Sequence, residues 1–265
     1  MNRDEAAALF DGWDEALIWS CLQGHMGTLV MSADGEPNAA CVSIGDFCFF
    51  AGEPTAALLN TAHGRQLLVP QNDAWAALIE QFFGGRAKRF LRYAIKKEPD
   101  VFDRQRLAAF AGALGSDYTL RAFDAEIFKL ARAEAWSSDL CAQFSDFEDY
   151  RRRGIGAVIL QGGTLVAGAS PYAVYDGGIE IEIDTRPACR HRGLATVCGA
   201  KLILDCLARG LYPSWDAHNL HSLALAEKLG YHLSHPYPTY ELTGGADTAR
   251  PCPGPERQRG IEDEN

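Results

Sequence analysis

No two cysteines stand at the two-residue spacing of a zinc ribbon or a redox motif, although the chain has eight. They also lack the regular framework of a disulfide-stapled secreted domain. Cys198 and Cys206 fall in a helical pattern and Cys41 and Cys48 in strand-like runs, so reduced, mostly buried thiols are expected. No apolar run reaches the roughly 18 residues needed to span a bilayer. The opening MNRDEAAALFDGWDEA is acidic and amphipathic, without the basic and then apolar segments of a signal peptide. A cytoplasmic chain with no membrane partner is expected. Positive charge is also scarce: 25 Lys and Arg against 35 Asp and Glu leave a net charge of -10. That balance argues against a general nucleic-acid binder, which needs a basic face, and suits a cationic partner such as an amine. The glycine pattern GxGxxG is absent, which disfavours a dinucleotide site. His218-x-x-His221 and His232-x-x-His235, with His191, have a spacing that zinc sites use. No carboxylate or cysteine accompanies them in a ligand-like pattern, and no metal is expected.

What is present is globular: 47% of the residues are hydrophobic and 23% charged, and 265 residues suffice for two domains. Residues 1–23 carry apolar side chains at three- and four-residue steps and predict one helix. GTLVMS and NAACVSIGDFCFFAG predict a hairpin across Asp34-Gly35-Glu36-Pro37, with Gly45-Asp46 as a second turn. Helices at 56–62 and 74–83 follow, the second closed by Gly84-Gly85. Arg86, Lys88, Arg89, Arg92, Lys96 and Lys97 surround an expected edge strand at 90–95. They read as a solvated face or as a contact to phosphates or to the other domain. After an amphipathic helix at 102–114, Gly115-Ser116-Asp117 marks an expected boundary. Domains of 1–116 and 117–243 result, with a Pro-, Gly- and charge-rich tail at 244–265 expected to be disordered. The second half reads β-α-α-β-β-β-α-β-α-β, with helices at 125–132 and 137–144 and a final strand pair near 231–233 and 237–242. No strong internal repeat is visible, yet the first half has elements of similar size and could be a degenerate copy of the second.

The organising stretch runs from Gly178 to Tyr231. Ile179, Ile181 and Ile183 alternate as in a strand with one buried face, which puts Glu180, Glu182 and Asp184 on the other. The turn Arg190-His191-Arg192-Gly193 feeds directly into a helical pattern from Leu194. Unpaired N–H groups and the positive dipole end make such a helix start an anion trap. Alone, this turn is a weak motif. It gains weight from Ile183-Asp184-Thr185 before it, Trp215-Asp216-Ala217-His218-Asn219 after it, and Ser222 through Leu229-Gly230-Tyr231 beyond.

Together these segments resemble the GCN5-related N-acetyltransferases, over roughly residues 118–242. More narrowly, IEIEIDT, RHRGLAT, PSWDAHN and LAEKLGY are similar to a bacterial branch that includes the zwittermicin A resistance acetyltransferase. That branch also carries an N-terminal extension with a segment like GDFCFFAGEP. The resemblance implies an α+β acetyltransferase fold with a mixed, largely antiparallel central sheet, preceded by a smaller α/β N-terminal domain. It implies acetyl transfer from acetyl-CoA to a small-molecule amine such as an aminopolyol, no metal, and a monomer or homodimer. Ile183, Asp184 and Thr185 match the strand that pairs with pantetheine. Arg190, His191, Arg192, Gly193, Leu194, Ala195 and Thr196 match the pyrophosphate loop, and Asn219 and Ser222 the segment that touches CoA. Trp215 and Asp216 would face the acceptor. An ammonium must lose a proton before it attacks, so Glu180 and Glu182 are the candidate bases. The family often has a tyrosine acid seven residues after the asparagine matched by Asn219. Here that residue is Ala226. Tyr231, Tyr240 or Ser222 would have to substitute, or the thiolate leaves with water as proton source. The missing tyrosine also keeps open a CoA-binding sensor or an inactive partner protein that keeps the fold without turnover.

Overall fold

The alternating run Gly178–Thr185 forms a strand in the computed structural model, which describes residues 3–32, 38–62 and 66–243. Tyr118–Ala122 (β6), Ala157–Gln161 (β7), Thr164–Tyr175 (β8) and Gly178–Thr185 (β9) pair antiparallel in sequence order. Tyr212–Ser214 (β10) then runs parallel to β9, with Tyr212 opposite Gly178 and Ser214 opposite Glu180. A parallel neighbour needs a long crossover, supplied by the helix Leu194–Ala208 (α8). Its apolar stripe of Leu194, Val197, Cys198, Leu202, Ile203 and Cys206 is buried.

The first half has a similar succession, without counterparts of β6 and of the later strand Asp216–Ala217. Helices Arg3–Leu9 (α1) and Ala16–Leu22 (α2) precede the antiparallel strands Thr28–Met31 (β1), Ala39–Ile44 (β2) and Phe47–Gly52 (β3). A short helix, Ala56–Leu59 (α3), leads to Leu67–Pro70 (β4), which lies parallel to β3. Asp73–Phe83 (α4), Ala87–Ile95 (β5) and Arg104–Ala111 (α5) complete it. In the second half, Ala125–Ala133 (α6) and Phe147–Arg153 (α7) stand before β7, β8 and β9. After β10 come Asp216–Ala217 (β11), Leu220–Leu229 (α9) and Leu233–Leu242 (β12).

The two halves share strands. β12 does not return to its own sheet but inserts between β4 and β5, with Tyr240 opposite Leu68 and Tyr237 opposite Arg92. β11 closes the same sheet against β5, giving the order β1-β2-β3-β4-β12-β5-β11 beside β10-β9-β8-β7-β6. The seven-stranded sheet therefore draws strands from both sides of residue 116.

Several local expectations are corrected. The helix expected over 1–23 is two helices, because Gly12 adopts a left-handed conformation (φ 73°) and the Glu15 carboxylate accepts the Leu17 N–H to start α2 afresh. The helix expected at 137–144 is only a single 3-10 turn, Ser138–Leu140, since the Ser137 hydroxyl donates to the Ala131 carbonyl instead of capping. The final strand pair is one strand. Pro236 and Pro238 lie beyond the part of β12 paired with β4, where a missing N–H is tolerated. β5 is an interior strand, not an edge, and its Arg92 is buried. The turn at 34–37 and the tail at 244–265 lie outside the described residues.

Candidate active site

The segment Tyr212–Ala217 belongs to two sheets. Up to Ser214 it pairs with β9, and the Ser214 hydroxyl meets Tyr175 Oη at 2.7 Å. Trp215 turns away and donates its indole N–H to Ser222 Oγ at 3.1 Å, and Asp216 and Ala217 then pair with Ala94 and Tyr93 of β5. β9 thus loses its parallel neighbour after Glu180, and the backbone from Ile181 to Thr185 opens onto a cleft of about 850 Å³.

One end of the cleft is a helix start. Gly193 holds φ 78° as N-cap of α8 with no side-chain cap, so the first-turn N–H groups of the helix are left without a capping side chain. A Cβ at Gly193 would meet nothing within 4 Å, so a ligand has direct access to the main chain. His191, at φ 61°, is the non-glycine residue with positive φ among the described residues. Arg190, His191, Gly193, Leu194, Ala195 and Thr196 line the cleft with Ile183, Asp184 and Thr185. Arg192 does not: its guanidinium donates to Tyr118 Oη and the Ala188 carbonyl. Thr185 Oγ1 is buried without a hydrogen-bond partner, a polar group left for a ligand to satisfy. An uncapped helix, an open strand edge and this orphan hydroxyl fit the diphosphate and amide groups of acetyl-CoA.

Asn219 caps α9, its Oδ1 accepting the N–H groups of His221 (2.9 Å) and Ser222 (3.0 Å), which contributes about 1 kcal/mol and leaves its amide nitrogen for the cleft it also lines. Ser222 lines the cleft as well. Both tyrosines considered as acids are engaged elsewhere. Tyr231 is 1% exposed and donates to the Pro213 carbonyl at 2.6 Å, and Tyr240 donates to Glu80 on α4.

The other end is acidic. Glu180, Glu182 and Asp184 project from one face of β9 and meet Glu15, the cap of α2, and Asp139 of the 3-10 turn, all lining the cleft. Burial raises Glu182 to about 8, with Asp184 and Asp139 adding to the rise and Arg92 opposing it. Burial and then Asp139 lift Asp184 to about 6. Burial and Asp216 lift Glu15 to about 7, against Lys97 and Arg92. Glu180 is raised well above the carboxylate range by burial and by Glu15. Buried carboxyls crowded together hold protons near neutral pH and release them to an arriving cation.

A buried basic residue faces this cluster from the first half. Arg92 on β5 lies between Asp216 Oδ1 (2.7 Å from Nε and from Nη2) and His218 Nδ1 (3.0 Å from Nη1). Its Nε is also 3.3 Å from Tyr237 Oη, and its guanidinium carbon is 4.8 Å from the centre of the Phe47 ring. Trp215 and Asp216 both line the cleft, but Trp215 is 6% exposed and Asp216 is held by Arg92. Burial, and then Arg92, lower the His218 pKa, with Glu241 and Asp216 opposing. Phe47, Phe49, Leu67 and Tyr237 complete this wall, all from the seven-stranded sheet. Sequence reasoning missed Glu15, Arg92, Asp139, His218 and Tyr237 as cleft residues. Arg92 had a signal in the basic run at 86–97, and His218 in the segment 215–219. Among the described residues no group of three or more His, Cys, Asp or Glu is placed to hold a metal ion. Cys21, Cys141, Cys189, Cys198 and Cys206 are buried and in no disulfide.

The comparisons agree with this geometry. A GCN5-related N-acetyltransferase-like protein of Streptococcus suis is 44% identical, with a TM-score of 0.89 over 91% of this chain and 98% of its own. The uncharacterized N-acetyltransferase YdfB of Bacillus subtilis is 24% identical over 179 residues, just under two thirds (66%) of either chain. A tandem GNAT protein from the clavulanic acid biosynthesis pathway shares the fold, with a TM-score of 0.55 at 14% identity over 92% of this chain and 94% of its own. The family model for GNAT acetyltransferases matches residues 7–240. On this match and on the uncapped α8 beside an opened strand, the chain belongs to the GNAT acetyltransferase family.

Proposed function

We propose that this chain transfers the acetyl group of acetyl-CoA to a primary amine of a small molecule. One observation carries the reading: the uncapped helix start at Gly193 and the carboxyl face of β9 open into the same cleft. Acetyl-CoA supplies the thioester that the amine attacks. Arg190, His191 and the first turn of α8 hold its phosphates, Ile183 to Thr185 pair with its amides, and Asn219 and Ser222 border it. The acidic end attracts the acceptor as an ammonium, which must lose a proton to become a nucleophile. Glu182 is the base: it lies two residues past the last β9–β10 pair, half-buried in the cleft, with a pKa of about 8 near the operating pH. Glu180, 5% exposed, is the runner-up. Trp215 and Asp216 form the wall behind the acceptor. An aminopolyol, as in the zwittermicin-resistance branch, suits a pocket this rich in carboxylates. Incubation with acetyl-CoA, a panel of polyamines and aminopolyols, and a thiol reporter tests the reading. Absence of thiol release with every amine, together with absence of acetyl-CoA binding by calorimetry, refutes it.

We also infer that residues 1–116 are a degenerate GNAT-like half, and 117–243 the acetyltransferase half, with the cofactor cleft of the first half plugged. β3 and β4 separate after Phe50–Pro70 as β9 and β10 do after Glu180–Ser214. In the first half the Gln71 side chain accepts the Gly52 N–H at 3.0 Å, and the Trp75 indole donates to the Gly52 carbonyl at 2.8 Å. Those are the main-chain groups that a second pantetheine would need.

A further inference from the structure

Arginine has donors only, so the nitrogen of His218 that faces it must be an acceptor. Arg92 Nη1 lies 3.0 Å from His218 Nδ1. The guanidinium is fixed in turn by Asp216 at 2.7 Å and by Tyr237 at 3.3 Å, and its side chain is 8% exposed. The imidazole is thereby confined to the neutral form with its proton on Nε2, a tautomer set by the partner of the other nitrogen. Nε2 has no hydrogen-bond partner among the described residues, and the ring lines the cleft immediately before Asn219.

We propose that His218 donates a hydrogen bond from Nε2 to the reacting thioester group, and that Arg92, contributed by the first half, is the positioning residue that fixes this tautomer. The inference rests on the acetyltransferase reading. As the C–N bond forms and the C–S bond breaks, negative charge gathers on the thioester, and the Nε2–H stabilises it without transferring its proton. A neutral imidazole is far too weak an acid to protonate a thiolate. The proton lost by the amine goes to Glu182, and the thiolate leaves as the anion and is protonated by solvent. Charged groups around the ring agree with neutrality: burial and Arg92 from β5 disfavour the cation, against Glu241 on β12 and Asp216 on β11. Tyr237, also on β12, is itself held protonated by burial.

The test reads the ring directly. Nitrogen NMR of the full chain, with His218 assigned by its loss in His218→Asn, should show an unprotonated Nδ1 and a protonated Nε2 at pH 7. The Nε2 resonance should shift when acetyl-CoA saturates the protein. A proton on Nδ1, a cationic ring, or an Nε2 that stays unmoved in the saturated protein overturns the proposal. Calorimetry run alongside separates this from failure of the acetyltransferase reading, since absence of acetyl-CoA binding overturns both. In turnover, His218→Asn keeps an acceptor for Arg92 but has no donor at the Nε2 position, and kcat should fall on the order of 10²-fold with the acetyl-CoA KM little changed. His218→Gln, whose amide reaches the Nε2 position, should restore most of that loss. Equal kcat for the Asn and Gln variants overturns the proposal.

Discussion

Replacing Glu182 by Gln removes the proposed base while keeping its volume and a hydrogen-bonding end. The wild-type carboxyl, raised to about 8 by burial and by Asp184 and Asp139, is ionised in about one molecule in a hundred at pH 6 and about a tenth at pH 7. The rate at subsaturating amine should therefore climb about tenfold between pH 6 and 7 and level off above 8. The acceptor must not titrate in that window, so the measurement uses a weakly basic amine whose ammonium pKa lies below about 6. In Glu182→Gln the rate should drop on the order of 10²- to 10⁴-fold, and the rise with pH should vanish. Stability supplies a second reading with a definite sign. A carboxyl whose folded pKa exceeds its unfolded value keeps its proton longer in the folded state, so its contribution to stability is lost as pH rises from about 4.5 to about 8. At about 1.4 kcal/mol per pKa step the loss has a ceiling of roughly 5 kcal/mol, shared with its carboxyl neighbours. Urea unfolding should then find the Gln variant more stable than wild type at pH 8.5 and equal to it at pH 4.5. Activity that stays within threefold of wild type with the same pH slope would refute the assignment of Glu182.

Arg92→Met should lower stability by about 3–5 kcal/mol in urea unfolding, because it leaves Asp216 a buried carboxylate without its cation. Gly193→Val forces a β-branched residue to φ 78°, and acetyl-CoA affinity by calorimetry should weaken about tenfold or more. With the cleft of the first half closed by Gln71 and Trp75, calorimetry should count one acetyl-CoA per chain. A fragment ending at residue 116 lacks β12, which lies between β4 and β5, so circular dichroism and proteolysis should find it unfolded.

Much of the second half was legible because its signals are local. The alternation of β9, the glycine turn and the apolar stripe of α8 each lie within a few residues, and each appears at its expected place. The basic run at 86–97 illustrates the limit. Its residues read as a solvated face or as a contact to phosphates or to the other domain, and only the fold shows Arg92 buried against Asp216, 124 residues away. Glu15 likewise reads as part of a helical surface, and becomes a buried cap beside Glu180 only when α2 docks on β8 and β9. His218 gives no sign of its tautomer until Arg92 is placed against it.

The sequence alone determined the strand-turn-helix with its uncapped helix start and the three carboxyls of β9, since period and glycine conformation need no distant partner. Tertiary structure decided which sheet each strand joined. β11 and β12 cross to the first half because strand pairing obeys backbone hydrogen bonding and the burial of one face, which any neighbouring edge can satisfy. That exchange places Phe47, Arg92 and Tyr237 in one cleft with Glu182, so its walls come from two halves whose residues lie far apart in the chain.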